Sequence, residues 1–317
     1  MTSRRVVIAL GGNAMTGADG SATPAAQRDA LREASGHIAD VVAAGVEVVL
    51  THGNGPQVGN LLVKNELAAA VVPPVPLDWC GAQTQGTLGF VLMNALDAAL
   101  ARRAVPRPCA TVVTRTLVDA DDPGFARPTK PIGRYVSADD ATPMIEHGET
   151  WEDRGERGWR RVVASPEPLE VLDAPAARAL LAAGYVVIAN GGGGIPVVRD
   201  ADGLRGVEAV IDKDLGAALL AGTVDADVLV IATDVPNAVL NFDTPQAEPL
   251  GRVNTTRLRE LAEEGHFASG SMGPKVEAAC RFVEQGGQYA VITDLDSIVN
   301  AVTAPEDERE GTIVVPA

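Results

Sequence analysis

Short β-branched runs that end in glycines, each followed by a helical stretch, recur along the sequence. The first is "RRVVIALGGNAM" at residues 4–15, and "VEVVLTHGNGPQVGNLL" at residues 46–62 has the same order. Further runs follow at residues 174–198, 226–235 and 288–302. Strands that alternate with helices predict an α/β fold with a mainly parallel sheet covered on both faces. Such sheets bind ligands beyond the carboxyl ends of their strands.

The composition limits the possible classes of function. The 317 residues are 46% hydrophobic but only 3% aromatic, so we expect an ample core of Ala, Val, Leu and Ile. The net charge of −16 argues against nucleic acids and anionic membranes as partners, and the apolar stretches are too short to span a membrane. Three separated cysteines and four scattered histidines predict neither a disulfide framework nor a zinc site, and they indicate a cytoplasmic protein.

Residues 118–168 interrupt the alternation of strands and helices. This segment is rich in charged residues, Pro and Gly, and it contains Tyr135, Trp151 and Trp159 in a chain that has few aromatic residues. Because large aromatic side chains favour packing, we expect an ordered subdomain or lid that folds over the main sheet. The alternative is a disordered linker.

Three strand ends carry glycines, at Gly11-Gly12-Asn13, Gly53-Asn54-Gly55 and Gly191 to Gly194. Glycine lets the backbone approach a ligand closely, and successive N–H groups at a strand-to-helix turn bind anions. One such loop is usually only a turn, whereas three at the same sheet edge predict an anion site. Residues 52–60 and 270–275 lack the spacings of the dinucleotide and P-loop motifs, which disfavours a dehydrogenase and a P-loop NTPase.

Lysine is rare, since only four of the 26 basic residues are lysines: Lys64, Lys130, Lys213 and Lys275. Lys275 falls in the first turn of a predicted helix, where the helix dipole disfavours a cation. Lys213 stands at another helix start and Lys130 in the inserted segment, while Lys64 lies in an ordinary helical stretch. A compact ammonium group fits between phosphate oxygens, so the first three are candidates for phosphate binding. Asp214, next to Lys213, either orients the lysines or caps the helix.

These parts are suited to phosphoryl transfer. That reaction needs donors along the transferred group, Mg²⁺ and a positioned acceptor, and an acceptor oxygen that is already anionic needs no general base. His52, beside Gly53, is therefore interpreted as structural. If Lys275 serves a bound phosphate, its removal should leave the ligand-free protein equally stable or slightly more stable, because the helix loses an unfavourable cation.

Seven blocks, in order over nearly the whole chain, resemble carbamate kinases of the amino acid kinase superfamily: "ALGGNA", "THGNGPQVGNLL", "PLDWCGAQTQGTLGF", "GERGWRRVVASPEP", "GGGGIPVV", "GVEAVIDKDLGAALLA" and "GSMGPKVEAACRFVE". The resemblance implies an open three-layer αβα sandwich with a central, mainly parallel sheet of about eight strands, a small protruding subdomain and a homodimer. It also implies the reversible reaction of ATP and carbamate that gives ADP and carbamoyl phosphate, often run towards ATP during arginine breakdown.

The resemblance assigns roles to individual residues. It implies that Lys213 and Lys275 neutralise the transferred phosphoryl group, that Asp214 orients them, and that Lys130 closes over the site. The carbamate and phosphoryl group would be held by Gly11, Gly12, Asn13, Gly53, Asn54, Gly55, Gly192 and Gly193. The nucleotide would be bound by Thr233, Asp234, Met272, Gly273 and Lys275. Mg²⁺ is expected to arrive on the ATP phosphates and not on a protein metal site.

The same resemblance divides the chain into a carbamate- and phosphoryl-binding region at 1–210, which includes the lid at 118–168, and a nucleotide-binding region at 211–317. Val239 stands where the family usually has an aromatic residue near the nucleotide. Two alternatives stay open. Another enzyme of the superfamily would phosphorylate a different small carboxylate, and a nucleotide sensor would bind without catalysis.

Overall fold

The computed structural model describes residues 4–16, 23–146, 148–267 and 271–317. The strands, in chain order, are β1 Arg5–Leu10, β2 Glu47–His52, β3 Cys109–Thr111, β4 Arg115–Leu117, β5 Lys130–Val136, β6 Trp151–Asp153, β7 Trp159–Val163, β8 Glu170–Val171, β9 Val186–Ile188, β10 Ile195–Asp200, β11 Gly203–Gly206, β12 Val228–Ala232, β13 Val239–Leu240, β14 Glu248–Pro249, β15 Arg252–Asn254, β16 Tyr289–Thr293 and β17 Thr312–Val315.

The α-helices are α1 Pro24–Ala43, α2 Gly55–Ala68, α3 Leu77–Arg102, α4 Pro123–Ala126, α5 Ala138–Glu146, α6 Ala174–Ala182, α7 Lys213–Thr223, α8 Thr255–Glu263, α9 Met272–Glu284 and α10 Ile298–Thr303. The predicted helix around Pro274 is present, but it begins two residues before that proline, at Met272. None of the helices in the described ranges is long and apolar enough to cross a bilayer.

The central sheet has eight strands in the order β15-β17-β16-β12-β1-β2-β9-β3. Its pairs are parallel except for β16 with β17. The predicted fold class, with a mainly parallel sheet of about eight strands, is therefore confirmed. One half of this sheet, β15-β17-β16-β12, comes from the last third of the chain. The other half, β1-β2-β9-β3, comes from the part before it. The two halves meet where β1 pairs with β12.

Helices cover both faces of the sheet, which gives three layers. Along β1 the side chains alternate: Val6, Ile8 and Leu10 pack in one buried cluster, with residues of α1, α3 and α10. Val7 and Ala9 pack in the other, with residues of α6, α7, α8 and α9. Because both faces are buried, the strand is a continuous apolar run and not an alternating one.

The inserted segment is ordered, as the sequence predicts. It contains a sheet of three strands in the order β5-β7-β6, together with α4 and α5. Ile132 and Val163 from this subdomain share a small core with Val58, Leu62 and Leu77 of the main body. The subdomain, called the lid below, is thus packed against α2 and the start of α3.

The β-branched run "CATVVTRTLV" at residues 109–118 predicts a single strand, but the structure divides it into two strands in different sheets. The chain leaves the central sheet after Thr111 and joins a second sheet, of order β11-β10-β4-β8, at Arg115. Between them, Gln85 of α3 accepts from the backbone N–H of Thr114 at 2.8 Å and donates to its carbonyl at 3.1 Å. The carbonyl of Thr114 also accepts from the N–H of Ile195 at 2.9 Å, so Gln85 is needed chiefly to pair the N–H of Thr114.

Candidate active site

The glycine loops after β1 and β2 lie side by side at the carboxyl edge of the central sheet. The N–H of Gly53 donates to the carbonyl of Leu10 at 3.0 Å, and the N–H of Gly11 donates to the carbonyl of Ala232 at 3.1 Å. Thr233, directly after β12, therefore lies beside Gly11. A Cβ on Gly12 would meet no atom of the described residues within 4 Å, so on that side the backbone of this loop is open to a ligand.

The third glycine turn, Gly191–Gly193, follows β9 and is anchored through Asn190. This buried residue has φ +57°, and its backbone N–H donates to Thr114 Oγ1 at 3.0 Å. Its carbonyl accepts from Thr51 Oγ1 at 2.8 Å and its Oδ1 from Thr116 Oγ1 at 3.0 Å. Three threonine side chains from two segments of the chain thus fix the conformation of Asn190, and the glycine turn begins directly after it.

A pair of lysines on two different helices shares one buried carboxylate. Lys213 is the first residue of α7, and its Nζ donates to Asp214 Oδ1. Lys275, in the first turn of α9, donates to Asp214 Oδ2 at 2.9 Å. The side chains of Lys213, Lys275 and Asp214 are only 14%, 11% and 4% exposed. Asp214 therefore accepts a hydrogen bond from each of the two lysines.

The pKa values of this cluster follow from burial and from these contacts. Burial raises the pKa of Asp214, but the attraction of Lys213 and Lys275 and their hydrogen bonds outweigh it and bring the pKa down to about 2. Burial lowers the pKa of Lys213, the charge of Asp214 opposes this, and the charge of Lys275 adds to it. Asp214 is thus fully ionised at neutral pH and serves as the counter-ion of the pair.

Asp212 is the residue that caps α7. Its Oδ1 accepts from the backbone N–H groups of Asp214 at 2.9 Å and Leu215 at 3.4 Å. Its Oδ2 accepts from Nζ of Lys130, which belongs to β5 of the lid, at 2.7 Å. The start of α7 therefore carries Lys213 and, through Asp212, contacts Lys130 of the lid.

The lysines and the glycine loops form one site. A Cβ on Gly53 would lie 3.3 Å from Cδ of Lys213, so the side chain of Lys213 passes directly over this loop. Gly193 has φ +86°, and a Cβ there would lie 2.9 Å from the carbonyl oxygen of Ile211, just before Asp212. Both positions are in contact with the chain around the lysines, and a larger residue would displace it.

His52 is not suited to acid–base catalysis. It is fully buried, and burial lowers its pKa to about 4 although a hydrogen bond to the backbone acts in the opposite direction. Its Nδ1 lies 2.7 Å from the carbonyl oxygen of Gly53, which can only accept, so Nδ1 carries the proton. The neutral ring therefore supports the Gly53 loop, as the sequence suggested.

The other candidate residues lie at the ends of the same elements. Asn54 directly precedes α2, and its Nδ2 donates to Thr84 Oγ1 at 3.0 Å. The same side chain lies against the third glycine turn, since a Cβ on Gly192 would be 3.0 Å from Asn54 Oδ1. Asp234 follows Thr233 and is exposed. The remaining candidates are located by the chain alone: Asn13 opens the turn after Gly12, Gly55 is the first residue of α2, and Met272 and Gly273 are the first two residues of α9.

Sequence reasoning missed Asp212 and Asn190 as parts of this site. Asp212 had a signal, because aspartate directly before a helical stretch is a preferred N-cap. Its partner Lys130 is 82 residues away, and that contact cannot be read from spacing. Asn190 had a weaker signal: asparagine is one of the few residues that tolerate a positive φ before a glycine turn.

The arrangement is able to bind and stabilise a multiply charged anion. Lys130, Lys213 and Lys275 face two carboxylates, those of Asp212 and Asp214, so one positive charge stays uncompensated at the mouths of α7 and α9. The N-terminus of α9, where the Ser271 side chain makes no cap hydrogen bond, adds partial positive charge. Buried, pre-oriented cations stabilise charge on a transferred group more strongly than mobile surface cations do.

The side chains fit a metal ion that arrives with phosphate better than one held by the protein. In the described part of the chain, no three His, Cys, Asp or Glu side chains come together as a metal site. The nearest carboxylates, Asp212 and Asp214, already accept hydrogen bonds from lysines on their oxygens.

Comparison with known proteins agrees with this geometry. A sequence model of the Amino acid kinase family matches residues 4–294. The carbamate kinase of Thermococcus kodakarensis is 46% identical over 98% of this chain and 99% of its own length, and that of Pyrococcus furiosus is 43% identical over 99% of both. The structure of a carbamate kinase from Giardia lamblia bound to AMP-PNP superposes with a TM-score of 0.92 at 40% identity, covering 100% of this chain and 99% of the other.

These matches extend over the whole fold, including the lid and both halves of the central sheet. They therefore cover every element that carries a candidate residue. The chain belongs to the amino acid kinase family and, within that family, lies among the carbamate kinases.

Proposed function

We propose that the protein is a carbamate kinase, which transfers a phosphoryl group reversibly between ATP and carbamate to give carbamoyl phosphate and ADP. The observation that carries this proposal is the Lys213–Asp214–Lys275 cluster at the carboxyl edge of the sheet, over the Gly53 loop. Relatives that carry the name carbamate kinase at 42–46% identity support the substrate.

The residues divide the work of the transfer. The carbamate oxygen attacks the γ-phosphorus, the bond from that phosphorus to the bridging oxygen breaks, and its electron pair stays on ADP. Lys213 and Lys275 neutralise the charge on the moving phosphoryl group, and Asp214 keeps them aligned. Lys130 closes over the group from the lid. Carbamate is already anionic, so no general base is required, in agreement with the neutral, buried His52.

The glycine loops hold the non-reacting oxygens. Backbone N–H groups of Gly11, Gly12 and Asn13 and of Gly53, Asn54 and Gly55 would contact carbamate and the phosphoryl group, assisted by Gly192 and Gly193. The nucleotide would lie over the 211–317 half of the sheet, near Thr233, Asp234, Met272 and Gly273. The relative that was solved with AMP-PNP supports ATP as the donor. Mg²⁺ would be bound by the ATP phosphates and would add positive charge there.

We also propose a cytoplasmic homodimer that takes part in arginine metabolism. The cysteines in the described ranges are free thiols, which is consistent with a reducing compartment. Helix α3 exposes Trp79 and Phe90, 60% and 59% accessible, on one side. A second copy of the chain would cover this apolar surface, since most soluble oligomers are symmetric homodimers.

The function is tested by ATP synthesis from carbamoyl phosphate, ADP and Mg²⁺, with the wild type compared with Lys213→Met and Lys275→Met. We expect the wild type to form ATP and each variant to lose about 100-fold or more in kcat/KM, as when a donor to the transition state is removed. Lys64→Met changes the exposed lysine of α2 and is the matched control, which should stay within about two-fold of wild type.

Two results would contradict the proposal. If the wild type forms no ATP but phosphorylates acetylglutamate, aspartate or uridine monophosphate, the substrate is wrong and another amino acid kinase activity is present. If both lysine variants keep full activity, the cluster is not the transfer site.

A further inference from the structure

Asp212 makes two separate contacts with its two carboxylate oxygens. Oδ1 caps α7, on which Lys213 and Asp214 lie, and Oδ2 binds Lys130 of the lid at 2.7 Å. The cap fixes the carboxylate, since two backbone N–H groups hold it. The same side chain therefore joins the lid to the helix that carries the lysine pair.

We propose that Asp212 is a positioning residue, which places the ammonium group of Lys130 at the mouth of α7 before the substrate binds. Its effect on catalysis rests on the proposed function, whereas its effect on Lys130 does not.

The cap of α7 does not need the negative charge of Asp212. Asparagine caps helices about as well as aspartate, and an asparagine would satisfy the N–H groups of Asp214 and Leu215 equally. Only a carboxylate can do this and also accept from an ammonium group on its second oxygen. Lys130 has a long, flexible side chain that is 32% exposed, and Asp212 is 15% exposed, so this contact decides where Nζ lies.

The contact leaves Lys130 able to act on a phosphoryl group. An ammonium group has three N–H donors, and Asp212 occupies one of them in the ligand-free protein. The other donors can bind an anion that enters beside Lys213. Because Asp212 is fixed by the cap, Lys130 loses little additional freedom when the anion arrives, and such pre-organisation lowers the cost of forming the transition state.

The first test measures Lys130 itself in the ligand-free protein. Trace labelling with acetic anhydride, read by mass spectrometry, reports the relative reactivity of the four lysines, with exposed Lys64 as internal reference. We expect Asp212→Asn to raise the labelling of Lys130 relative to Lys64 by about three-fold or more, because the amine is no longer held against a carboxylate. Lys275, which does not contact Asp212, should be labelled as in wild type.

The matched control is Asn254→Asp, the isosteric change in the opposite sense at another helix cap. Asn254 caps α8 through the N–H of Arg257 at 2.9 Å, on the edge strand β15 of the central sheet. This variant should leave the labelling of all the lysines unchanged. Unchanged labelling of Lys130 in Asp212→Asn would overturn the proposal, whether or not the protein makes ATP.

The second test asks whether Asp212 acts through Lys130, by a double-mutant cycle in ATP synthesis. Asp212→Asn should lower kcat by about ten-fold and leave the KM for ADP near wild type, because the nucleotide does not contact Lys130 in the proposed site. In a Lys130→Gln background the same change should have almost no further effect. An undiminished effect of Asp212→Asn in that background would refute positioning through Lys130. A wild type that forms no ATP would refute the proposed function alone, since the labelling still decides the contact.

Discussion

Lys275 lies in the first turn of α9, where a helix dipole opposes a cation, yet the structure supplies a local counter-charge. Its Nζ is 2.9 Å from Asp214, whose carboxylate is almost fully buried. A buried carboxylate that loses a partner is costly. The contact therefore reverses the expectation from the sequence that removal of Lys275 leaves the ligand-free protein equally or more stable.

We predict that Lys275→Met lowers the free energy of unfolding by about 1–3 kcal/mol at pH 7, because one oxygen of Asp214 is left without its hydrogen bond. The measurement is urea denaturation of the ligand-free protein, with Lys64→Met as the control that should match wild type. A Lys275→Met variant that is more stable than wild type would show that the helix dipole, and not the ion pair, dominates at this position.

The same variant should change the response to acid. The pKa of Asp214 is lowered from 3.8 to about 2, so its ionisation stabilises the fold above pH 3.8, and this contribution is lost as the pH falls towards 2. Without Lys275 the pKa of Asp214 rises, so this contribution becomes smaller and its loss is complete at a higher pH. The difference in stability between variant and wild type should therefore shrink as the pH is lowered from 7 towards 2.

At this scale the sequence predicted the lysines because lysine is scarce and three of the four stand at loops or helix starts. It could not decide between the two roles of Asp214. That choice depended on which aspartate caps α7, and the cap is Asp212.

Among the elements, the turns after the strands form the candidate site. Two glycines in these turns, Gly193 and Gly12, differ in why a side chain would be unfavourable there. Gly193 has φ +86°, and a Cβ there would press on the carbonyl of Ile211 at 2.9 Å. Gly12 has no positive φ, and no atom in the described part of the chain lies within 4 Å of its Cβ position. One glycine is required by the fold, whereas the other leaves room for a ligand.

We predict opposite consequences for two alanine substitutions. Gly193→Ala should lower the free energy of unfolding by about 1–3 kcal/mol, because alanine is strained at this φ and meets a backbone oxygen. Gly12→Ala should change stability by less than about 0.5 kcal/mol but lower kcat/KM for carbamoyl phosphate about ten-fold or more, since its methyl group enters the space over the N–H groups. Thermal unfolding and the ATP assay measure both, and a Gly12→Ala enzyme with unaltered kinetics would place the phosphoryl group elsewhere.

The alternation of strands and helices was predictable from the sequence because buried parallel strands are continuous apolar runs and the helices between them are amphipathic. The second sheet was not. Its strand β4 comes from the same apolar run as β3, and no local signal at Val112 or Val113 marks the change of sheet, whereas β10 begins only after the glycine turn that follows β9. The change depends on Gln85, which reaches Thr114 from a helix 29 residues away.

For the whole molecule, the position of the site follows from the order of the strands. The two halves of the central sheet meet at β1 and β12, and the loops after these two strands carry Gly11 and Thr233. Ligands of open α/β sheets bind where the strand order reverses. In the proposed reaction, carbamate binds over one half of the sheet and the nucleotide over the other. The phosphoryl group would then pass between them at the junction of β1 and β12.

Helix α3 carries two large exposed apolar side chains, Trp79 and Phe90. Trp79 and Phe90 are eleven residues apart, which is about three helical turns, so they project from the same side of the helix. Leu67, Val71 and Val72, at the end of α2 and in the connection to α3, are also more than half exposed. Large exposed apolar patches mark an interface more often than a solvent-facing surface.

We predict that sedimentation equilibrium of the wild type gives about twice the chain mass of 32.7 kDa, as for a symmetric dimer. The double variant Trp79→Glu/Phe90→Glu should sediment as a monomer, because two buried, unpaired carboxylates would have to lose their hydration at the interface. Phe242→Glu is the matched control, since Phe242 is 68% exposed near the β13–β14 hairpin and lies outside α3. It should remain dimeric. A wild-type monomer would refute the dimer, and a double variant that still sediments at twice the chain mass would place the interface on another surface.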